Sequence, residues 1–368
     1  MNKSAIRIRI RQICCLGLGE ELLATALVPA VRELVASDSG AFAWLDRSGE
    51  LTNVYSDRLS SMQMVAAMPV LGSRARVPRG PIQNIDADTR WGHNRVLTAV
   101  LRDSVGELAQ VSLCRPGSAT PFGSDEIAEL SSVTHYIAHG MGRGRKPDAM
   151  HGLEFSDSPE EALVIADRGG VIRYATEEGR RMLLLAAGRK IDRVALSSVG
   201  SIVSDLLRDV CAKVDAAEAG GRACALSATT STSWGRFVLT AYPLLDGGAM
   251  AGNLVGIRVL RQEPAIIPVV RAISRLELSP QQSQIALLIA QGQSNREIAA
   301  SMRVSCNTVA YHVRQLFMKL GVHDRASLMA RIHRSPATPS CGLSYAACEN
   351  FLPSPVSSRR HQPSPPRP

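Results

Sequence analysis

Residues Leu278 to Ile332 read LSPQQSQIALLIAQGQSNREIAASMRVSCNTVAYHVRQLFMKLGVHDRASLMARI, and this stretch decides the C-terminal fold. Four helix starts punctuate it. Ser279 can cap a first helix, Pro280 suits its first position, and Gln282 completes a capping box. Its apolar stripe is Ile285, Leu288 and Ile289, and Gly292 supplies a left-handed stop. Ser294 and Glu297 form a second capping box ahead of a short helix over Arg296–Ser301, followed by a tight turn at 302–305. Ser305 caps a third helix from Asn307 to Leu320, closed by Gly321, and Asp324 caps a fourth over Arg325–His333. A short helix, a turn of four residues and a longer helix make a helix-turn-helix pattern. In the long helix Val309, Val313, Leu316 and Leu320 recur at spacings of four, three and four, which faces them to a core. The opposite face carries Asn307, Thr308, Tyr311, Arg314 and Gln315, donors and acceptors suited to base edges and phosphates.

Charge concentrates in the same place. The 368 residues hold 42 Lys+Arg and 33 Asp+Glu, a net of +9. Residues 1–150 carry 17 basic and 15 acidic side chains, and residues 151–264 carry 13 and 14, so both are near neutral. Residues 275–334 carry eight basic and three acidic side chains, a net of +5 within sixty residues. A polyanion is the natural partner of such a segment.

With those residues in place, Leu278 to Ile332 closely resembles the LuxR/GerE-type DNA-binding domain. The matching features are Gln291-Gly292, Ser294-Asn295, Glu297-Ile298-Ala299, Ser305, Thr308-Val309, His312-Val313 and Lys319-Leu320-Gly321-Val322. The resemblance implies a four-helix domain that binds double-stranded DNA. By its register, Ala310, Tyr311 and Arg314 face base edges, and Thr308, His312 and Lys319 lie near the phosphates. The chain departs from the pattern at Gln281–Gln284, where alternating arginine and glutamate are usual, and at Ala310, where lysine is usual. The operator sequence therefore does not carry over from relatives.

Upstream, an apolar helical pattern runs from Leu22 to Leu34, a strand follows at Gly40–Leu45, and a turn at 46–49. A second apolar stretch at Glu107–Leu113 and a helix from Ser124 to about His139 complete a GAF-like α+β order over 1–140. A glycine-rich basic linker is expected at 141–152. From 153 to 264 come a hairpin over Glu161–Tyr174, a helix from Glu177 to Ala187, and two strands, Trp234–Tyr242 and Leu254–Leu260, around an Asp246-Gly-Gly turn. That order resembles a PAS-like fold. The expected architecture is thus multidomain: α+β sensor-like N-terminal domains followed by an all-α four-helix helix-turn-helix domain over 270–335. The tail at 336–368, with eight prolines and seven serines from Ser335 onward, is expected to be disordered.

Composition removes other classes. No stretch approaches the ~20 apolar residues of a membrane span, and the basic run Lys3–Arg11 with the short apolar run Ile13–Leu18 does not make a signal peptide. The eight cysteines (14, 15, 114, 211, 224, 306, 341 and 348) contain no Cys-x-x-Cys pair and read as reduced thiols in the cytoplasm. His135 and His139 lie four apart on a helix but lack a third ligand, so no metal is expected. Residues 152–311 contain no histidine, which excludes a histidine-ligated haem there. Cys211 and Cys224 read as buried thiols, with a redox or ligand role as the alternative. Phe42, Trp44, Tyr55 and Trp91 read as core, with a pocket lining as the alternative. No cofactor and no catalytic constellation are expected.

The sequence therefore predicts a cytoplasmic DNA-binding transcriptional regulator, not an enzyme, whose N-terminal segments sense an unknown small-molecule effector, redox state or partner. A homodimer on an imperfect palindrome is expected, with Leu328 and Ile332 of the fourth helix either its dimer face or part of its core. RNA polymerase is a further candidate partner. The rival readings are a sigma-like promoter-recognition factor and an enzyme with an autoregulatory DNA-binding domain.

Overall fold

Two five-stranded antiparallel sheets with the same neighbour order organise the N-terminal two-thirds of the chain, and a helical domain follows them. The computed structural model describes residues 2–46, 51–57, 82–89, 92–102, 107–142, 153–219, 226–246 and 249–334. Trp91, Cys224 and the tail beyond Arg334 lie outside the described residues, as does the turn at 47–49.

The first sheet is built from β1 (Ser39–Leu45), β2 (Leu51–Ser56), β3 (Ile82–Thr89), β4 (Gly92–Arg102) and β5 (Glu107–Pro116), in the order β2-β1-β5-β4-β3. Helices α1 (Lys3–Cys14), α2 (Glu20–Leu34) and α3 (Ser124–Gly142) pack together and onto this sheet. Gly40 sets the approach of α2, because a Cβ there would stand 2.9 Å from Val28 Cγ1. Phe42, Trp44 and Tyr55 are buried in this core. Sequence reading took the first fourteen residues only as a basic run and an apolar one. In the structure they form α1, with Ile6, Ile10, Ile13 and Cys14 turned inward at helical spacing. The stretch from 141 opens inside α3, which runs through Gly142.

The second sheet follows the same plan: β6 (Phe155–Asp167), β7 (Ile172–Ala175), β8 (Leu226–Thr232), β9 (Gly235–Asp246) and β10 (Ala249–Pro264) in the order β7-β6-β10-β9-β8. Gly170 closes the β6–β7 turn at φ +81°, and a Cβ there would fall 2.7 Å from the Arg208 amide and the Ser204 carbonyl. Only glycine satisfies both demands. Helices α4 (Glu177–Ala186), α5 (Arg193–Ser197) and α6 (Val199–Ala219) lie between β7 and β8 in sequence, and α4 and α6 pack onto the sheet. Val164, Ala166, Phe237, Leu239, Ala241, Val255, Ile257 and Val259 are all buried, in register on one face of it.

The two sheet units are fastened to each other. The Val54 amide donates to the Ile191 carbonyl at 3.2 Å, and the Ile191 amide donates to Asn53 Oδ1 at 2.9 Å. Trp234, from the β8–β9 turn, packs edge-on against Trp44 at 5.8 Å and beside Tyr55 at 6.0 Å. At this seam the Tyr55 hydroxyl donates to Glu160 Oε1 at 3.0 Å, and Arg261 Nη1 donates to Glu160 Oε2 at 3.1 Å. Arg261 Nη2 also donates to Thr25 Oγ1 at 2.6 Å, and Arg181 Nη1 to the Ser56 carbonyl at 3.2 Å. Burial works to raise the Glu160 carboxyl, but Arg261 and Arg181 outweigh it and hold the group at about 2. Burial and the neighbouring Glu160 carboxylate push the Tyr55 phenol up, so it stays a donor.

After β10, α7 (Ile266–Ser274) leads into α8 (Pro280–Ala290), α9 (Asn295–Met302), α10 (Cys306–Leu320) and α11 (Arg325–His333). Helix α7 packs against α1, α8 and α11, and α1 touches α8 as well. A buried hydrogen bond ties these parts together, from Gln12 Nε2 to the Ser283 carbonyl at 3.0 Å.

Replacing Glu160 with Gln removes the carboxylate paired with buried Arg261 and leaves buried Arg181 with Glu178 alone. It should lower unfolding free energy by about 2–3 kcal/mol, below the usual cost because 22% of the Glu160 side chain stays accessible. Its lowered carboxyl contributes stability above its ordinary value of 4.5, and that share is lost as pH falls towards about 2. Denaturant titrations from pH 7 to pH 3 should show a flatter acid limb for Glu160→Gln.

Candidate nucleic-acid interface

The helical domain is held in register by its caps. Ser279 Oγ accepts from the Gln282 amide at 3.3 Å while Gln282 Oε1 accepts from the Ser279 amide at 3.1 Å. Ser294 and Glu297 repeat the box at 3.3 and 2.7 Å, and those bonds from Ser294 hold the Glu297 carboxyl below its ordinary range. Arg303 turns the chain between α9 and α10 with φ +55°. Ser305 Oγ accepts from the Thr308 amide at 3.1 Å, Gly321 closes α10 at φ +63°, and Asp324 accepts from the Ser327 amide at 2.6 Å. Each start and stop read from the sequence falls within two residues of the observed helix end.

Arg325 does something sequence did not announce. Its guanidinium donates to the Gln293 carbonyl and, at 2.7 Å, to Asn295 Oδ1. The start of α11 is thereby clamped to the turn before α9. A contact across thirty residues leaves no local pattern to read.

Helix α10 presents two unlike sides. Val309, Val313 and Leu316 are buried and Leu320 is half-buried. At about 100° per residue these four fall within an arc of about 60°. Asn307, Thr308, Ala310, Tyr311, Arg314 and Lys319 are exposed, and His312 and Gln315 are half-buried. These eight spread over the remaining arc, and Tyr311 is 59% exposed. Fifteen residues make a rod about 22 Å long, of a width that a ~12 Å major groove admits.

Not all eight side chains are idle. Lys319 Nζ donates to the Glu277 carbonyl at 2.6 Å, and the Thr308 hydroxyl sits 2.8 Å from the Ser305 hydroxyl. The Tyr311 ring meets His312 edge-on at 5.5 Å. Arg314 has no side-chain partner among the described residues and borders a groove of about 560 Å³ with Asn295, Ala310, Met318 and His323. Arg296 and Arg303 also stand exposed on the α9 side, two cations the sequence reading did not single out.

Leu328 and Ile332 are 0% and 1% exposed, so they complete this chain's own core and offer no face to a second chain. The remaining candidates are placed as follows. His135 and His139 are both exposed, and no group of three metal-ligating side chains occurs among the described residues. Burial pushes the Cys211 thiol up to about 11 and Cys14 to about 12, which keeps both protonated at neutral pH. Among the described residues, Cys14, Cys15, Cys114, Cys211 and Cys306 are all free thiols.

Known proteins agree with the helical domain. The GerE model of bacterial regulatory proteins of the luxR family matches residues 276–331. Response regulator Rre1 of Synechocystis is 32% identical over 76 residues, covering 20% of this chain and 33% of that protein. The probable transcriptional regulatory protein SgaR of Hyphomicrobium methylovorum is 32% identical over 113 residues, 28% of this chain and 48% of its own length. The chain thus spans a third to a half of the length of these curated relatives, both of which are named as regulators. The complex of Vibrio cholerae VqmA with ligand and DNA aligns at 17% identity over 47% of this chain and 82% of that one, with a TM-score of 0.24. No helix among the described residues is long and apolar enough to cross a membrane. An α/β sheet region therefore precedes a helical C-terminal domain, and that domain is a member of the luxR family of bacterial regulatory proteins.

Proposed function

We propose that this chain is a cytoplasmic, homodimeric transcriptional regulator that lays α10 in the major groove of double-stranded DNA. The observation that carries the reading is the exposed polar side of α10 on a luxR-family domain. In this arrangement Arg314, Tyr311 and Ala310 face base edges, with Asn307 and Gln315 beside them. Thr308, His312 and Lys319 contact the phosphates, so Lys319 exchanges the Glu277 carbonyl for a phosphate oxygen on binding. Phosphate contacts supply most of the affinity and base contacts the choice of sequence.

The two sheet units, over 1–140 and 153–264, serve as the sensing part, and 270–335 as the effector. Their link to DNA binding is mechanical. Helices α1 and α7 carry the helical domain, and the buried Gln12–Ser283 hydrogen bond makes its placement depend on α1. An effector that prefers one arrangement of the sheet units shifts the population of the binding-competent dimer by its differential affinity. RNA polymerase is the further partner such a regulator addresses at a promoter.

Operator fragments selected by genomic footprinting test the reading directly. In gel-shift titrations, Arg314→Ala should relax base preference at one position per half-site, worth about 1–3 kcal/mol. Lys319→Ala should weaken every sequence alike and lower the salt slope by about one. With about six phosphate contacts, binding should fall by roughly 10³ between 50 and 200 mM salt. An Arg314→Ala protein with unchanged affinity and preference would refute the register assigned to α10.

A further inference from the structure

Among the described residues, other elements cover only one face of the second sheet. Directly opposed residues share a face, so the outer side is formed by rows such as Tyr174–Ile165–Gly256–Tyr242 and Leu163–Arg258–Thr240. Leu163, Tyr174 and Tyr242 are 57%, 67% and 37% exposed there, among the eight large exposed hydrophobics of the described residues. Ile165, Val238 and Leu260 lie half-buried between them. A contiguous apolar sheet face left in water marks an interaction surface.

We propose that this outer face is a dimer interface and that its occupant is a second copy of this chain. The proposal rests on the dimeric regulator reading above. Three observations select the occupant. The first is charge. Arg258 holds Glu161 Oε2 at 2.6 and 3.0 Å in the middle of the apolar rows, and their side chains remain 47% and 36% accessible. The next row of the same face adds a second balanced set, Arg236 and Asp157 joined through Gln262. A patch with its charges balanced in this way matches itself after a twofold rotation, the Arg258 guanidinium reaching the Glu161 carboxylate across the axis. Its balance gives a polyanion no purchase. The second is area. Five strands ~4.8 Å apart and about seven residues long at ~3.3 Å each present roughly 600 Å², close to the ~800 Å² per partner of an ordinary stable interface. The third is that Leu328 and Ile332, the apolar residues of α11, are spent inside the monomer. A chain that reads two half-sites must pair through another surface.

The test is sedimentation equilibrium of the full-length chain at micromolar concentration without DNA. Wild type should have twice the monomer mass. Leu163→Glu should raise the dimer Kd by at least roughly 30-fold by burying an unpaired charge. Arg258→Glu leaves two carboxylates at this pair of positions and Glu161→Arg leaves two guanidiniums. Each alone should be monomeric, and an equimolar mixture of the two should regain the dimer mass. That pair decides the matter should Leu163→Glu fail to fold. A monomeric wild type overturns the proposal, including one that dimerises only after residues 335–368 are removed, since the tail is then the occupant. Variants that dimerise like wild type overturn it as well. The mass is read without DNA, so loss of operator binding in wild type counts against the regulator reading and leaves the interface standing.

Discussion

Glu160 sits where the two sheet units meet, and the arrangement of the N-terminal part depends on how its charge is met. Two buried arginines, Arg181 and Arg261, approach from the second unit, and Tyr55 donates from the first. The same arginines reach on to Ser56 and Thr25 in the first unit, so the ion cluster doubles as a bolt through the seam. Trp234 fills the apolar space beside it against Trp44 and Tyr55. A buried charge cluster of this kind adds little net stability against an apolar seam, but its hydrogen bonds tie fixed atoms of one unit to fixed atoms of the other. The sheet units are consequently held in one relative orientation.

From that rigid body the helical domain is suspended by two elements, α1 and α7. Helix α7 leaves β10 beside Glu263, whose carboxylate pairs with Arg271. Helix α1 approaches from the other unit and closes on α8 through Gln12. Contacts from both units therefore converge on α8, the first helix of the luxR-type domain, and leave the polar side of α10 exposed.

Sequence reading located the C-terminal domain well because its signals are local. Capping boxes join residues three apart, and the stripe Val309–Val313–Leu316–Leu320 needs only the helical period. The same holds for the strands around Gly40–Leu45 and Trp234–Tyr242 and for the hairpin before Tyr174. Helix α1 escaped because its isoleucines and arginines alternate at Ile6, Arg7, Ile8, Arg9 and Ile10, a period of two that hides the helical spacing of Ile6, Ile10 and Ile13. Arg9 is buried beside Glu33, an environment that a basic run does not advertise. The helical stripe of α11 was legible, but which surface it would meet was not.

The amino-acid sequence alone determined the helix-turn-helix, its caps, the polar side of its long helix and the concentration of positive charge around it. All of these are set by residues within one or two helical turns of each other. Only the tertiary structure decided that Leu328 and Ile332 face inward, that Arg325 clamps the α8–α9 turn, and that Lys319 rests on a backbone carbonyl. It also decided that one face of the second sheet stays open. Those outcomes depend on which surfaces meet across tens to hundreds of residues, and no local period or cap encodes that choice.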